Sequence, residues 1–337
     1  MRAQSKIVRL AAPATLEDSS QLALLYKAAG DDLRLSILRI LQTESLGVLE
    51  MCSILDIRQS ALSHHLKVLF NAALVSTRRE GTAVFYRRVF LTPADPLATQ
   101  KRAILEGADR LPLAGAVAAR LLAVKQARER HSLEFFARFA DKFKENQDLV
   151  ADSQQYAGSL RDLLQGLALP QEATVLEVGP GEGDLLPVLA QSFARVIALD
   201  NSSEMLGKAR RALAARGLDT TVKLVLGDTS TAVARGLRAH LVIFSMVLHH
   251  IASPAQAFAE AAQLLEPGGC LLVVDLCRHH QDWVRDTCGD LWLGFEPEEL
   301  SNWAAQAGFH EGQSQLLGLR NGFQIQMRLF HPQAPHA

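Results

Sequence analysis

Cysteine is scarce and scattered, with four residues in 337 at positions 52, 270, 277 and 288 and no Cys-x-x-Cys pair. That spacing speaks against a zinc ribbon and a disulfide framework, and a cytoplasmic location with reduced thiols is the expectation. No apolar run reaches the ~18 residues of a membrane-spanning helix, so no membrane partner is expected. Residues 1–19 are basic but lack a long apolar core, and they read as a flexible tail rather than a signal peptide. Neither sign of charge is in excess: 35 Lys and Arg face 36 Asp and Glu, a formal net charge of −1. Any affinity for nucleic acid therefore has to come from a local patch. No internal repeat is visible.

What is present is ample apolar material, 48% of the residues, in a chain long enough for two domains. Three zones follow the tail. Residues 20–92 alternate short helical patterns and end in a hairpin. Residues 93–160 are rich in Ala, Leu and charge and read as a helical linker, dimerisation and cap segment, with breaks at Pro93, Pro96 and Pro112. Within it, the apolar stretch 113–125 suits a dimer element. Phe136, Phe139 and Phe143 fall near one helical face, for packing or as a lid. Residues 161–332 alternate apolar strands with amphipathic helices, the pattern of a parallel α/β sheet. The fold class expected is thus α/β, with an all-α-plus-hairpin N-terminal domain.

In the first zone, "DDLRLSILRILQ" places Leu33, Ile37, Ile40 and Leu41 on one face, with Asp31 or Asp32 as N-cap. "GVLEMCSIL" gives a second helix with Val48, Met51, Cys52 and Leu55 on its apolar side. "SALSHHLKVL" follows, with Leu62, Leu66 and Leu69 as a buried stripe. Gln59, Ser60, Ser63, His64 and Lys67 fall on or near the solvent side, while His65 leans toward the core. Two strand-like runs then flank "EGT", where Gly81 supplies the turn. Between Arg58 and Arg88 there are six Lys or Arg and one acid, Glu80, a local charge of +5 suited to phosphate contacts.

The stretch "SALSHHLKVLFNAALVSTRREGTAVFYRR" resembles the recognition helix and wing of the ArsR/SmtB family of bacterial repressors. The likeness covers residues 20–92. It implies a winged helix-turn-helix in a homodimer that binds a double-stranded DNA operator and is regulated by an effector. Gln59, Ser60, Ser63 and His64 would then meet base edges, with Lys67 on the same side. Arg78 and Arg79 in the wing would hold phosphates or reach a minor groove. Members that sense metals often carry a Cys-x-Cys pair on the preceding helix. Here "LEMCSIL" offers Cys52 alone, so no metal site is expected.

In the last zone, "ATVLEVGPGEGDLL" is an apolar strand, a glycine-rich turn and a helix start, which lets a ligand approach the backbone closely. Asp200 ends the next strand, 21 residues after Gly179, where an acid takes ribose hydroxyls. "VKLVLGDTS", "HLVIFSMVLHHI" and "LLEPGGCLLVVDL" supply three further strands, the last after a turn at Gly268-Gly269. A dehydrogenase shares the first turn but leaves "GDTS" and "LLEPGG" unexplained.

This order resembles the class I S-adenosylmethionine-dependent methyltransferases, near the quinone-biosynthesis and arsenite branch, over residues 172–276. The resemblance implies a Rossmann-like doubly wound domain with S-adenosyl-L-methionine or S-adenosyl-L-homocysteine as cofactor. The methionine moiety would lie near Glu177, Gly179 and Gly181. Asp200 would bind ribose and Met205 would pack near adenine. Asp228 would accept from the adenine amino group beside Thr229, and Ser245 would line the floor with Val247 and His249. His249 and His250 are the candidate catalytic residues, as pocket walls or bases; capping the strand end is their other reading. Cys270, Cys277 and Cys288 do not have the spacing of the arsenite enzymes. Two functions stay open: a regulator sensing its cofactor, or an active small-molecule methyltransferase whose N-terminal domain serves autoregulation or dimerisation.

Overall fold

The computed structural model describes residues 19–333 except 93 and 171. The tail expected over residues 1–19 lies outside these but for its last residue, as does the break at Pro93. The chain folds as two compact units, one drawn from residues up to 122 outside the turn 80–82, the other from that turn and residues 123 onward.

The first unit opens with α1 (Ser19–Ala29) and α2 (Asp32–Ile40). The N-cap of α2 is Asp31, whose side chain accepts from Arg34 N at 2.9 Å. A two-residue strand, β1 (Leu46–Gly47), leads into α3 (Val48–Leu55). Only Met51 and Ile54 of α3 are fully buried; Val48, Cys52 and Leu55 sit at the margin, so the expected stripe is turned by part of a residue. Helix α4 (Gln59–Asn71) buries Leu62, Leu66 and Leu69 at the spacing the sequence shows. The hairpin is β2 (Val75–Glu80) and β3 (Ala83–Arg88), and β1 joins it in a three-stranded sheet of order β1-β3-β2. Gly81 turns it with φ +59°. Helix α5 (Ala98–Asp109) follows.

Helix α6 (Gly115–Phe139) is continuous where the sequence suggests a shorter dimer element. A single 3-10 turn, Ala140–Lys142, separates it from α7 (Phe143–Ala151). The phenylalanines expected on one helical face are therefore divided between two helices. Helix α8 (Ser153–Gln165) buries Tyr156, Leu160, Leu163 and Leu164, a stripe of helical period.

From there strands and helices alternate: β4 (Thr174–Val178), α9 (Leu186–Ser192), β5 (Arg195–Asp200), α10 (Ser203–Ala214), β6 (Val222–Leu226), α11 (Thr229–Ala234), β7 (Ala239–Ser245), α12 (Pro254–Leu264) and β8 (Leu265–Leu276). Helices α13 (Trp283–Thr287) and α14 (Pro297–Gln306) precede the hairpin β9 (Phe309–Gly318) and β10 (Gln324–Pro332). The sheet order is β6-β5-β4-β7-β8-β10-β9. Strands β4 to β8 pair in parallel, and β10 runs antiparallel between β8 and β9. The inner strands are apolar almost throughout, as strands covered on both faces must be. Strand order reverses between β4 and β7, and such a switch point opens a crevice at the carboxyl ends of the strands.

Candidate functional site

On the first unit, Gln59, Ser60, Ser63, His64 and Lys67 are all exposed on α4, because the three leucines fix which side faces inward. His65 is half-buried, with Nδ1 3.6 Å from Asp31 Oδ1, the N-cap carboxylate of α2. Its neighbour His64 points elsewhere, their rings meeting edge-on with centroids 5.7 Å apart.

The wing departs from expectation. Arg79 is exposed, but Arg78 is only 3% exposed, so it is not presented to a phosphate. The alternation of a strand explains this, since adjacent side chains face opposite ways. Arg88 is likewise occupied. Its guanidinium donates to both Asp109 oxygens at 2.6 and 3.1 Å and to Leu38 O at 2.8 Å. The guanidinium of Arg87 lies over the ring of Phe90, 4.5 Å from its centroid. The charge of +5 is thus partly structural, and its outward share rests on Arg58, Lys67 and Arg79.

The second unit holds a cavity of about 480 Å³ at the switch point. Glu177, Gly179, Gly181, Asp200, Met205, Asp228, Thr229 and Ser245 all line it, with Val247 and His250. Gly179 has φ +64°, and a Cβ there would lie 2.2 Å from Val247 Cγ2. The turn after β4 therefore admits only glycine at this position and leaves the backbone bare toward the cavity. Met246, just past the end of β7, also has positive φ, +53°, and lies in the wall. A residue bearing a Cβ is rarely held there, and such positions cluster at functional sites.

The acids differ sharply. Glu177 is buried, and its Oε2 has no hydrogen-bond partner among the described residues. Burial, then the charges of Asp184 and Asp200, push its pKa up to about 8. Asp200 accepts from Ser202 N at 2.8 Å, yet burial still raises it to about 6. Asp228 is the N-cap of α11 and accepts from Thr231 N, Thr231 Oγ1 and Ser230 Oγ, all on Oδ1. Burial alone would raise its pKa, but those bonds together hold it below the usual carboxylate value. Thr229 donates to Glu260. Met205 is buried with Ala140 and Phe143.

The two candidate catalytic histidines lie on a single 3-10 turn, Leu248–His250, shortly past β7. His250 lines the cavity and meets the ring of Phe136 edge-on at 5.0 Å; His249 is not among the lining residues. The Nδ1 of His249 lies 2.7 Å from Asp275 Oδ1, and its Nε2 lies 4.0 Å from Asp290 Oδ1. Burial opposes its charge, but the carboxylates of Asp275 and Asp290 outweigh that and raise its pKa to about 9. His250 is held well below its ordinary value by burial and by the charge of His249.

Phe143, one of the phenylalanines read from the sequence as packing or a lid, lines the cavity. Lys144, Tyr156 and Asp184 line it too and escape sequence reasoning, and Lys144 Nζ pairs with both Asp184 oxygens at 2.9 Å. The phenylalanine spacing is a signal for the cap. Asp290 has none, since it joins the histidines only through folding.

The fold and site define a winged helix-turn-helix unit fused to a Rossmann-like unit of methyltransferase type. Family models agree: residues 31–77 match the bacterial regulatory protein, arsR family, and residues 152–313 match the methyltransferase domain. The chain belongs to the arsR family of regulators through its N-terminal domain and carries a methyltransferase domain behind it.

It is 39% identical over 74 residues to the HTH-type transcriptional regulator MJ1325 of Methanocaldococcus jannaschii, covering 21% of this chain and 81% of that protein. It is 43% identical over 70 residues to the transcriptional activator HlyU of Vibrio cholerae, covering 21% of this chain and 65% of the relative. Through the other half it is 29% identical over 108 residues to the tRNA 5-carboxymethoxyuridine methyltransferase of Escherichia coli, covering 30% and 40%. The chain spans less than two thirds of the length of the first curated relatives it matches, 34% in one from Streptomyces fradiae. Among the described residues no helix is long and apolar enough to cross a membrane.

Proposed function

We propose that this protein is a DNA-binding regulator whose second domain binds S-adenosyl-L-methionine or S-adenosyl-L-homocysteine in the switch-point cavity. The observation that carries the reading is Glu177. A buried carboxylate oxygen without a donor, in a cavity wall, calls for a cationic ligand group. The positively charged methionine end of the cofactor answers that need. The bare backbone at Gly179 and Gly181 gives it close approach. Asp200 accepts the ribose hydroxyls, Met205 packs toward the adenine, and Asp228 uses the oxygen its capping bonds leave over. Thr229 and Ser245 complete the wall.

When bound, S-adenosylmethionine supplies an electrophilic methyl group on a sulfonium. The chain's residues align the two partners, which is the main requirement of such a displacement when the acceptor is a good nucleophile. Phe136, Phe143 and His250 form an apolar wall suited to excluding water. The acceptor is a small molecule.

The exposed side of α4, with Gln59, Ser60, Ser63, His64 and Lys67, reads an operator in the major groove, and Arg79 serves the phosphates. The protein acts in the cytoplasm as a homodimeric repressor. Ligand binding shifts its population between forms of unequal DNA affinity. A second reading, an active methyltransferase that governs its own gene, is favoured by His249, His250 and Asp275, which the cofactor does not need for binding.

Calorimetric titration with each cofactor form tests the pocket. Glu177→Gln and Asp200→Ala are expected to weaken binding at least about tenfold; unchanged affinity overturns the assignment. Footprinting on the upstream DNA, with and without each form, tests the regulator. Repeated turnover with a supplied acceptor separates the two readings.

A further inference from the structure

Behind the cavity wall, three buried side chains converge from distant parts of the chain. His249, His250 and Asp290 each present a donor atom, and these atoms lie within 4.8 Å of one another. His249 Nε2 and His250 Nδ1 are 4.0 and 3.9 Å from the same oxygen, Asp290 Oδ1. Neither carboxylate oxygen of Asp290 has a hydrogen-bond partner among the described residues, although the side chain is 1% exposed. A buried carboxylate left so is paired with something the fold expects to find there.

The surroundings are built to hold these groups still. Asp275 is fully buried and accepts from Leu248 N at 2.9 Å and Leu276 N at 2.7 Å. Its contact with His249 Nδ1 orients the ring and turns Nε2 toward Asp290. A carboxylate behind a histidine in this way is the usual outer support of a metal-ligating imidazole. The loop bearing Asp290 is pinned as well: Leu291 N and Trp292 N both donate to His249 O, at 3.0 and 3.1 Å, and the Trp292 indole N–H donates to Ile251 O at 2.8 Å.

We infer that His249, His250 and Asp290 form a binding site for a divalent transition-metal ion, with Asp275 orienting His249. Two imidazoles and one carboxylate suit zinc and the neighbouring first-row ions, and three protein ligands leave a position open. Donor atoms of a tetrahedral zinc site stand roughly 3.4 Å apart, so the ion would draw the three groups together from their present spacing of up to 4.8 Å. His250 is shared with the cavity wall, which gives the ion a place beside the acceptor. The expectation of no metal rests on the regulatory helix and the cysteines, which contribute nothing to this site. The site stands on its own geometry, independent of the cofactor reading.

The test uses the full chain stripped with chelator, then dialysed against zinc or cobalt. One ion per chain is expected, with visible cobalt absorption and no thiolate charge-transfer band. Asp290→Asn and His250→Gln should bind at least about tenfold more weakly, and Asp275→Asn about 10–100-fold more weakly. Asp290→Asn should keep its circular dichroism and lose the rise in melting temperature that zinc gives the parent. X-ray absorption of the zinc-loaded parent needs no variant and should show only nitrogen and oxygen ligands, including imidazole. No bound ion, sulfur ligation, or full affinity in a folded Asp290→Asn would each overturn the site.

Discussion

The outer face of α4 and the cavity of the second unit carry their candidate chemistry in opposite ways. On α4 the side chains proposed to meet DNA are those the fold leaves alone: Gln59, Ser60, Ser63, His64 and Lys67 stand in solvent while three leucines do the packing. In the cavity the corresponding residues are embedded in the fold. Glu177 is buried without a full set of donors, Gly179 and Met246 hold left-handed backbone, and Asp228 starts a helix. Function can be removed from the first region without touching stability. In the second, ligand binding and stability are coupled, and their signs can be opposed.

The sharpest break of this contrast is Gly179→Ala. A Cβ 2.2 Å from Val247 at φ +64° should cost about 2–5 kcal/mol and abolish cofactor binding. Thermal melting and calorimetry read both. A variant that melts like the parent would show the turn to be pliable.

Next in size is Arg88→Ala, which leaves the half-buried Asp109 without its bidentate partner. A loss of about 1–3 kcal/mol is expected in chemical denaturation. The exposed Arg79 of the same hairpin offers the counter-case: Arg79→Ala should leave stability within about 0.5 kcal/mol and lower the salt slope of DNA binding by about one. If Arg79→Ala destabilised and Arg88→Ala did not, the division of the hairpin's charge into inner and outer parts would be wrong.

A subtler effect concerns pH. Glu177 has its folded pKa raised from 4.5 to about 8. The folded form therefore binds the proton more tightly than the unfolded chain, and the stabilisation is present in full below pH 4.5 and lost as pH rises through 8. Asp200, raised by burial to about 6, acts in the same direction over a narrower window. His249, raised to about 9, adds stability below its ordinary value of 6.5 that also fades as pH rises. Melting temperature of the ligand-free protein should thus decline from pH 5 to 8, and Glu177→Gln should flatten the decline. An unchanged slope would mean that Glu177 is solvated in solution. Smallest of all, Ser63→Ala should weaken operator binding with no measurable change in melting.

Much of both regions was legible because it follows from period and spacing. Leucines at positions 62, 66 and 69 orient α4, and a glycine turn followed by Asp200 at a strand end locates the cavity. What escaped depends on tertiary partners. Nothing near Arg88 in sequence announces Asp109, and charge counting cannot tell a phosphate ligand from an internal ion pair. Arg78 could have been questioned from strand alternation alone. The meeting of His249 and His250 with Asp290 requires a loop some forty residues later to fold back on the turn after β7, which no local pattern encodes. Likewise Phe136 and Phe143 belong to different helices, though their rings meet at 5.3 Å.

The seven-stranded sheet also has unequal margins. β6 ends one side with five residues, whereas β9 ends the other with ten, of which eight are exposed. A long outer strand is an invitation to strand-by-strand aggregation while the chain folds. Here the strand is broken by a register shift at Arg328 to Phe330 in its partner and carries Glu311, tied to Arg328 across the pair. The same hairpin that completes the sheet supplies its own stop, and the stop would matter most in crowded translation, before any ligand is bound.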